Sequence, residues 1–389
     1  MKLSAPVISA SLMAILMLSA VFIIAMGAGS PQLPDISTDA SGTWELVGDG
    51  ANGSLGSSLT LQQDRWLLTG ELQDEDNGTS TAIVGVFINR AGTSFMFDLG
   101  NDTRRCLVYG LVDGDNMWLG AMGRDGDIFA FRDQYVRNGA ALVAFEPFTA
   151  LQDEYVAISA SQANSTQVSN LTGENLSITN QNESLVIGAM EQDVEGTITD
   201  RNFTALGVYK DSSGNGDEAE YYIMMDATDF WIVQHDTSTG ILSFRTVALS
   251  ESVGDENQTV VVMRSYVPQG SGTDLSDDPS YIQMPGAWST VMINIESTGD
   301  VQFTGRSVTL DIANQVEDAF FGVMIAPDYQ GHIGGSLFSA DDSYFFIAGP
   351  AVGNAVNLMY GWIDGENMYL FAVFEENGSK VASTEIYRL

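Results

Sequence analysis

Short apolar runs of four to nine residues recur along most of the chain, separated by Gly, Asp, Asn and Ser. Val, Ile, Phe, Tyr and Thr predominate in them, and a new run begins every 8–12 residues. This spacing is typical of antiparallel sandwiches and barrels. A helical period is nearly absent, and 149–162 is the one stretch that invites a helical reading. The pattern predicts an all-β fold.

One hairpin pattern occurs three times, as GLVDGDNMWLGAM (110–122), IMMDATDFWIVQH (223–235) and GWIDGENMYLFAV (361–373). Each copy has a strand, an Asp, a short polar turn and a second strand with an aromatic residue at the same step. Asp-Gly supplies the positive φ that a tight hairpin turn needs. The paired residues are Asp113 and Trp118, Asp226 and Trp231, and Asp364 and Tyr369. The sequence therefore predicts three antiparallel β units, either sandwiches or barrel-like meanders.

Flanking matches extend the repeat in both directions. The hairpin copies close on Arg132, Arg245 and Arg388. Weaker upstream matches relate 58–70, 175–188 and 289–305. The predicted divisions are a signal peptide or apolar helix (1–28), a spacer (29–40), three β units (41–135, 143–250 and 285–389) and a linker (251–284) holding one strand at 259–267.

Three predicted strands, 82–88, 320–326 and 368–374, are apolar on both faces. A strand of this kind has to be covered on both sides, by another sheet or by another subunit. Packing between the three units can supply part of the cover. The remainder predicts assembly with further copies of the chain or with other proteins.

The amino-acid composition limits the possible partners mainly through its net charge. The 389 residues include 51 acidic and only 15 basic side chains, for a net charge of −36. Phosphate binding requires clustered Lys and Arg, so nucleic acid is excluded as a partner. The same charge disfavours an anionic membrane surface and attracts cations. Hydrophobic residues make up 44% of the chain, which is enough for a packed core.

The N-terminus predicts export. Lys2 precedes an uncharged apolar run, 5–26, and the small residues of 27–30 follow it, which is the pattern of a secretory signal peptide. The run is long enough to span a bilayer if it stays uncleaved, and this is the only membrane contact we expect. Cys106 is the single cysteine, so no intrachain disulfide forms, and we expect it to be buried.

Asp-rich turns are the only metal candidates. Calcium takes six to eight oxygen ligands, and the turns with Asp113, Asp115, Asp125 and Asp127 offer several carboxylates. Their spacing does not match a twelve-residue calcium loop. The sequence thus predicts no cofactor other than weakly held calcium, acting inside a turn or as a bridge between subunits.

Enzymatic patterns are not found in the sequence. The two histidines, His235 and His332, do not recur across the copies, and we expect each at a surface or an edge. GDGANG at 48–53 matches a dinucleotide-binding pattern but precedes a strand rather than a helix, so it reads as a loop. We predict no catalytic and no cofactor-binding residues, and hence a protein that is not an enzyme.

Ten N-x-S/T sequons occur, four of them crowded into the polar segment 164–184 at Asn164, Asn170, Asn175 and Asn182. The others begin at Asn52, Asn77, Asn101, Asn202, Asn257 and Asn377. N-glycosylation of an exported chain uses such sequons. The segment is therefore a candidate glycosylated surface, and an ordinary polar loop is the alternative.

These features together resemble the secreted S-layer or sheath-type envelope proteins of methanogenic archaea. They are an export signal, acidity with three lysines in all, sequons, no disulfide and repeated β units. The resemblance implies a non-enzymatic structural subunit of an extracellular layer or sheath. It would assemble with itself or with other envelope proteins through sheet edges and apolar strand faces.

Two other functions stay open. Each unit can be a small barrel that binds a ligand or a glycan outside the cell. Alternatively, residues 4–27 resemble the N-terminal helix of archaeal type IV pilin-like proteins, which would make the chain a filament subunit. The charged leader of those proteins is missing here, and Ser9 stands where their pattern has Gly.

Overall fold

Strands account for every regular element in the described part of the chain. The computed structural model describes residues 32–47, 55–74, 78–100, 105–125, 127–137, 139–143, 148–163, 168–171, 175–182, 184–194, 197–212, 218–226, 230–250, 258–271, 281–299, 307–327, 329–338, 344–350, 356–376 and 378–389. The all-β prediction is confirmed, and the three units are closed antiparallel barrels rather than sandwiches. The stretch 149–162, which invited a helical reading, contributes to a strand.

The first barrel has eight strands in chain order, and pairing of β1 with β8 closes it. Its strands are β1 (Gly42–Leu46), β2 (Ser58–Asp64), β3 (Leu67–Asp74), β4 (Thr79–Phe87), β5 (Ser94–Asp98), β6 (Arg105–Asp113), β7 (Asn116–Asp125) and β8 (Asp127–Arg137).

The middle barrel is a ring of eight strands closed by β9 and β17, and the short β10 pairs with β9 outside the ring. Its strands are β9 (Glu154–Ala163), β10 (Val168–Asn170), β11 (Asn175–Asn182), β12 (Leu185–Val194), β13 (Thr197–Ser212), β14 (Glu218–Asp226), β15 (Phe230–Asp236), β16 (Leu242–Ser250) and β17 (Gln258–Pro268). The closing strand β17 lies in the predicted linker 251–284. The middle unit therefore extends past residue 250 to Pro268.

The third barrel again has eight strands in chain order, closed by β18 and β25. Its strands are β18 (Gly286–Ser297), β19 (Thr309–Val316), β20 (Ala319–Ala326), β21 (Tyr329–Leu337), β22 (Tyr344–Pro350), β23 (Val356–Asp364), β24 (Asn367–Glu376) and β25 (Ser379–Arg388).

Large buried side chains fill the barrel interiors. In the middle barrel Trp231 and Phe244 form a core with neighbours from most of its strands, and in the third barrel Trp288 and Phe345 do the same. Alternate residues of a strand face opposite sides of a sheet, so the inward set forms this core and the outward set faces solvent or a neighbouring barrel. Cys106 is buried, as expected.

Residues Pro34–Leu389 form one compact unit, because the three barrels pack on one another. Phe321 of β20 packs on Val261 and Met263 of the middle barrel, and Phe371 of β24 lies 5.1 Å from Trp66 of the first barrel, between ring centroids. The predicted apolar strands 82–88 and 368–374 thus find cover within the chain, whereas Ile325 near the end of 320–326 stays 39% exposed. Among the described residues, no helix is long and apolar enough to cross a membrane.

Candidate functional site

The first and third copies of the repeated hairpin form the same structure. Asp113 pairs with Asn116 across a two-residue turn, and Asp364 pairs with Asn367 in the same way. The first turn residue is a glycine with positive φ in both, +58° at Gly114 and +62° at Gly365, as a type II′ turn requires. Both aspartates are solvent-exposed at the connection between the sixth and seventh strands.

The second copy occupies a different place. Asp226 ends β14, so its turn joins the fifth and sixth strands of the middle barrel. Its carboxylate is completely buried and accepts a 2.9 Å hydrogen bond from Trp231 Nε1. Arg201 Nη1 lies 3.2 Å from the same carboxylate. The gap-free sequence match therefore aligns the hairpin between the fifth and sixth strands of the middle barrel with hairpins between the sixth and seventh strands of the other two barrels.

Asp236 is the residue of the middle barrel that occupies the connection between its sixth and seventh strands. Burial alone raises the pKa of Asp236, but hydrogen bonds from Ser238 and Thr239 outweigh that effect and lower it. The aromatic residues of the matched hairpins, Trp118, Trp231 and Tyr369, are buried in all three copies.

A glutamine clamp is the feature that repeats with the same geometry in all three barrels. Gln63 Oε1 accepts a 2.7 Å hydrogen bond from the Ala40 amide, and its Nε2 donates to the Thr38 carbonyl at 3.0 Å. Gln181 makes the same pair of bonds with Leu151 and Thr149, and Gln315 makes it with Met284 and Ile282. Each clamp fixes the segment that precedes the first strand of its barrel. Its sequence signal is a glutamine on the second strand of each barrel, outside the repeated hairpin pattern.

The clamp also corrects the upstream alignment of the third unit. Arg65 and Glu317 both have a φ of 55°, and Gln63 and Gln315 each donate to the carbonyl of that residue. These matching turns join β2 to β3 and β19 to β20. The counterpart of 58–70 is therefore the β19–β20 hairpin, and not 289–305, which begins within β18.

The three closing arginines have three different environments. Arg245 is buried and lies 2.6 Å from Asp318 Oδ2 of the third barrel. Arg132 reaches Ser184 of the middle barrel, and burial lowers its pKa to about 10. Arg388 is half-buried and donates to Asn367 within its own barrel. Only the first two of these residues connect barrels.

Basic side chains are concentrated where barrels meet. Within the described part of the chain, five basic side chains make hydrogen bonds from one barrel to another: Arg90 to Ile363, Arg124 to Asp226, Arg132 to Ser184, Arg245 to Asp318 and Lys380 to Asp98. Placing positive charge at these junctions leaves the solvent-facing surface richer still in carboxylates.

The calcium candidates do not come together. Asp113 precedes and Asp115 lies in the turn at one end of β7, whereas Asp125 and Asp127 pair across the turn at its other end. At about 3.3 Å per residue, the two turns are about 30 Å apart. Asp115 also lies 3.5 Å from Arg137. Among the described residues, no group of three or more His, Cys, Asp or Glu side chains is placed to hold a metal ion.

The middle barrel contains a buried ionic cluster that the sequence analysis missed. Glu220 Oε2 lies 3.2 Å from His235 Nδ1, and Glu220 Oε1 lies 3.3 Å from Lys210 Nζ. Burial alone raises the pKa of Glu220, but hydrogen bonds from His235 and Thr149 and the charge of Lys210 lower it to about 2. His235 is only 3% exposed, so the expectation of a surface or edge histidine was wrong for it, whereas His332 is exposed. Thr149 belongs to the clamped segment, so the cluster also holds that segment.

Four sequon asparagines lie on the middle barrel within the described residues, and all four side chains are exposed: Asn170, Asn175, Asn182 and Asn202. Asn164 and the five remaining sequon asparagines lie outside the described residues, as do residues 1–28 and the loop 48–53.

Two open clefts lie beside the clamps. One, of about 260 Å³, is lined by Gln63, Arg65 and residues 34–41, and the other, of about 470 Å³, is lined by Gln181 and residues 148–153. They occupy equivalent positions in the first and middle barrels.

Comparison with known proteins assigns no family. No family model and no curated protein matches the chain. Among solved structures, the chain is similar to MucB in the crystal structure of MucB in complex with MucA(peri), with 10% identity over 61% of this chain and 89% of that chain. The TM-score of that comparison is 0.14, which carries no argument about fold or function.

Proposed function

We propose that the protein is an exported, non-enzymatic structural subunit of an extracellular surface layer or sheath. The observation that carries this proposal is the packing of three barrels, each with side chains filling its interior, into one compact unit. A building block of this kind gains stability from its cores and junctions and presents mainly its outer surface to partners. The export signal, acidity and sequons support an extracellular location.

Contacts between copies would be made by the acidic outer surface. Closed barrels leave no unpaired edge within their rings. Neighbouring barrels cover the outer face of β24 and Phe321 of β20, while Ile325 of β20 is 39% exposed. Among the described strands, the short β10 is therefore the one left for assembly through an edge. A divalent cation such as calcium can instead bridge carboxylates of neighbouring copies, which otherwise repel each other.

Assembly of the purified mature protein tests the proposal. We expect high-mass, ordered assemblies in millimolar calcium, seen by sedimentation and electron microscopy, and their dissolution by EDTA. Sodium chloride at matched ionic strength is the control, because it screens repulsion without bridging carboxylates. A monomer that persists at high concentration, with and without calcium, would overturn the proposal.

The mature N-terminus separates this function from the pilin-like alternative. Cleavage near residue 28 removes the apolar run 5–26 and with it any filament helix. Edman sequencing or mass spectrometry of the exported chain reads the cleavage position directly. An intact apolar run at the mature N-terminus would favour the filament subunit.

A second candidate, an extracellular binding module, is supported by the two equivalent clefts beside Gln63 and Gln181. Saccharides are a suitable ligand class for such open, polar clefts. A glycan array probed with the mature protein tests it. Binding that is lost on substitution of Asp39 and Asp153, which line the two clefts, would favour the binding module over the structural subunit.

A further inference from the structure

The outer face of the middle barrel brings separate sequons together. Antiparallel pairing aligns Ser177 of β11 with Ala189 of β12 and Ala189 with Asn202 of β13. Asn175 lies two residues from Ser177 on the same strand and therefore on the same face. With strands about 4.8 Å apart, Asn175 and Asn202 lie about 12 Å from each other. We propose that this face carries N-linked glycans at Asn175 and Asn202, an inference that rests on the proposed export of the chain.

Both sequons lie entirely within strands, which determines where their two polar groups point. Residues n and n+2 of a strand share a face, so the asparagine and the hydroxyl residue of each sequon both face outward. Asn175 and Asn202 are exposed, and Ser177 and Thr204 are half-buried. A modifying enzyme can therefore reach both groups of each sequon on the folded barrel.

The sequon at Asn182 differs from the other two in the accessibility of its hydroxyl residue. Its asparagine is exposed, but its hydroxyl residue, Ser184, is 1% exposed and lies 3.3 Å from Arg132 Nη1 of the first barrel. The sequon also crosses the turn between β11 and β12, where Asn182 pairs with Leu185. The junction between barrels thus covers the hydroxyl that recognition requires, and Asn182 stays unmodified once the chain has folded.

The same face contains an apolar side chain that a glycan would cover. Val156 of β9 is 36% exposed and is the cross-strand partner of Asn175. The C–H face of a sugar ring attached to Asn175 can pack on this valine. The first barrel contacts the same face of β13 further along the strand, where Leu206 lies against Gly120, and Asn202 itself is exposed.

Peptide mapping by mass spectrometry of the full chain isolated from its own cells tests this inference. We expect glycan masses on the peptides containing Asn175 and Asn202 and an unmodified Asn182. The variants N175Q and N202Q should each lose the mass of one glycan on a gel, and the matched variant N182Q should run like the unaltered chain. Asn175 and Asn202 both unmodified, or Asn182 modified to the same extent, would overturn the inference.

The outcome is separable from that of the proposed function. Assembly in calcium by chains that lack both glycans would overturn the glycan assignment alone. Glycans at both sites on a chain that stays monomeric in calcium would overturn the surface-layer function and leave the modified face in place.

Discussion

The hairpin of the middle barrel and its counterparts in the first and third barrels share a sequence pattern but differ in environment. Asp113 and Asp364 are exposed at connections between sixth and seventh strands, whereas Asp226 is fully buried one connection earlier. The buried aspartate holds Trp231 and faces Arg201. Similar residues thus form an exposed turn in the first and third barrels and a buried ion pair near a junction in the middle barrel. Local pattern and tertiary role are separable, and substitutions can separate them.

The largest difference is expected between two of the closing arginines. Arg245→Met leaves Asp318 buried without its 2.6 Å partner, which should cost about 4 kcal/mol of unfolding free energy. Arg388→Met removes a half-exposed hydrogen bond to Asn367 and should cost about 1 kcal/mol or less. Urea unfolding followed by fluorescence measures both. Equal losses would mean that the junction pair contributes no more than a surface contact.

A buried glutamate, Glu220, and a half-buried one, Glu385, should respond to pH with opposite signs. The folded-state pKa of Glu220 is lowered from 4.5 to about 2, so its stabilisation is complete above pH 4.5 and is lost as the pH falls towards 2. The contribution is about 3 kcal/mol. Burial raises the pKa of Glu385 above its usual value of 4.5. Ionised Glu385 therefore destabilises the folded state, and stability falls as the pH rises through the raised pKa.

Gln substitutions at the two glutamates check these signs in urea titrations at several pH values. E220Q should destabilise the protein at pH 7 and reduce the loss of stability on acidification between pH 4.5 and 2. E385Q should stabilise the protein at pH 7, since it removes a charge that burial disfavours. The same sign for both variants at pH 7 would contradict the assignment.

The hairpin aspartates themselves should differ by a smaller amount. Asp226→Asn keeps an acceptor for Trp231 but removes the charge beside Arg201, at a cost of about 2 kcal/mol. Asp113→Asn changes an exposed turn and should stay within about 0.5 kcal/mol. Chemical denaturation resolves this difference. A cost for D113N as large as that for D226N would show that the hairpins are equivalent after all.

The smallest effects test whether the clamp is the true repeat. Gln63→Ala, Gln181→Ala and Gln315→Ala each remove the two clamp hydrogen bonds and should each cost about 1 kcal/mol. Gln63→Ala and Gln315→Ala also remove a bond to the carbonyl of the turn residue, which is exposed and should add little. Gln62→Ala, at the exposed neighbouring position, is the control and should be close to neutral. Thermal melts of the four variants measure these losses of stability. Widely unequal losses among the three clamps would argue against structural equivalence.

Much of the fold was accessible from the sequence because strand periodicity is local. The apolar runs, the Asp-Gly turns and the repeat count predicted all-β architecture and three antiparallel units. The limits of the middle unit were not accessible. Its closing strand β17 follows a polar segment, and nothing in TVVVMRSYV reveals that it pairs with β9, about a hundred residues earlier.

The candidate site was predicted less well, for a related reason. Trp118, Trp231 and Tyr369 are buried in the structure, but the sequence could not indicate that Asp226 faces Arg201 or that His235 faces Glu220. Ionic partners come from different strands, and their alignment depends on register. The Gln63 clamp was likewise hidden, because its partners lie more than twenty residues away.

By itself the sequence determined the strand content, the number of units and the excess of acidic charge, since each follows from residue type and local spacing. Only the tertiary structure decided that the sheets close into barrels, that the middle hairpin is one strand out of step, and which carboxylates are buried. Those outcomes depend on which strands pair and which outer faces meet. Both are set by packing between residues far apart in the chain, where a local pattern carries no information.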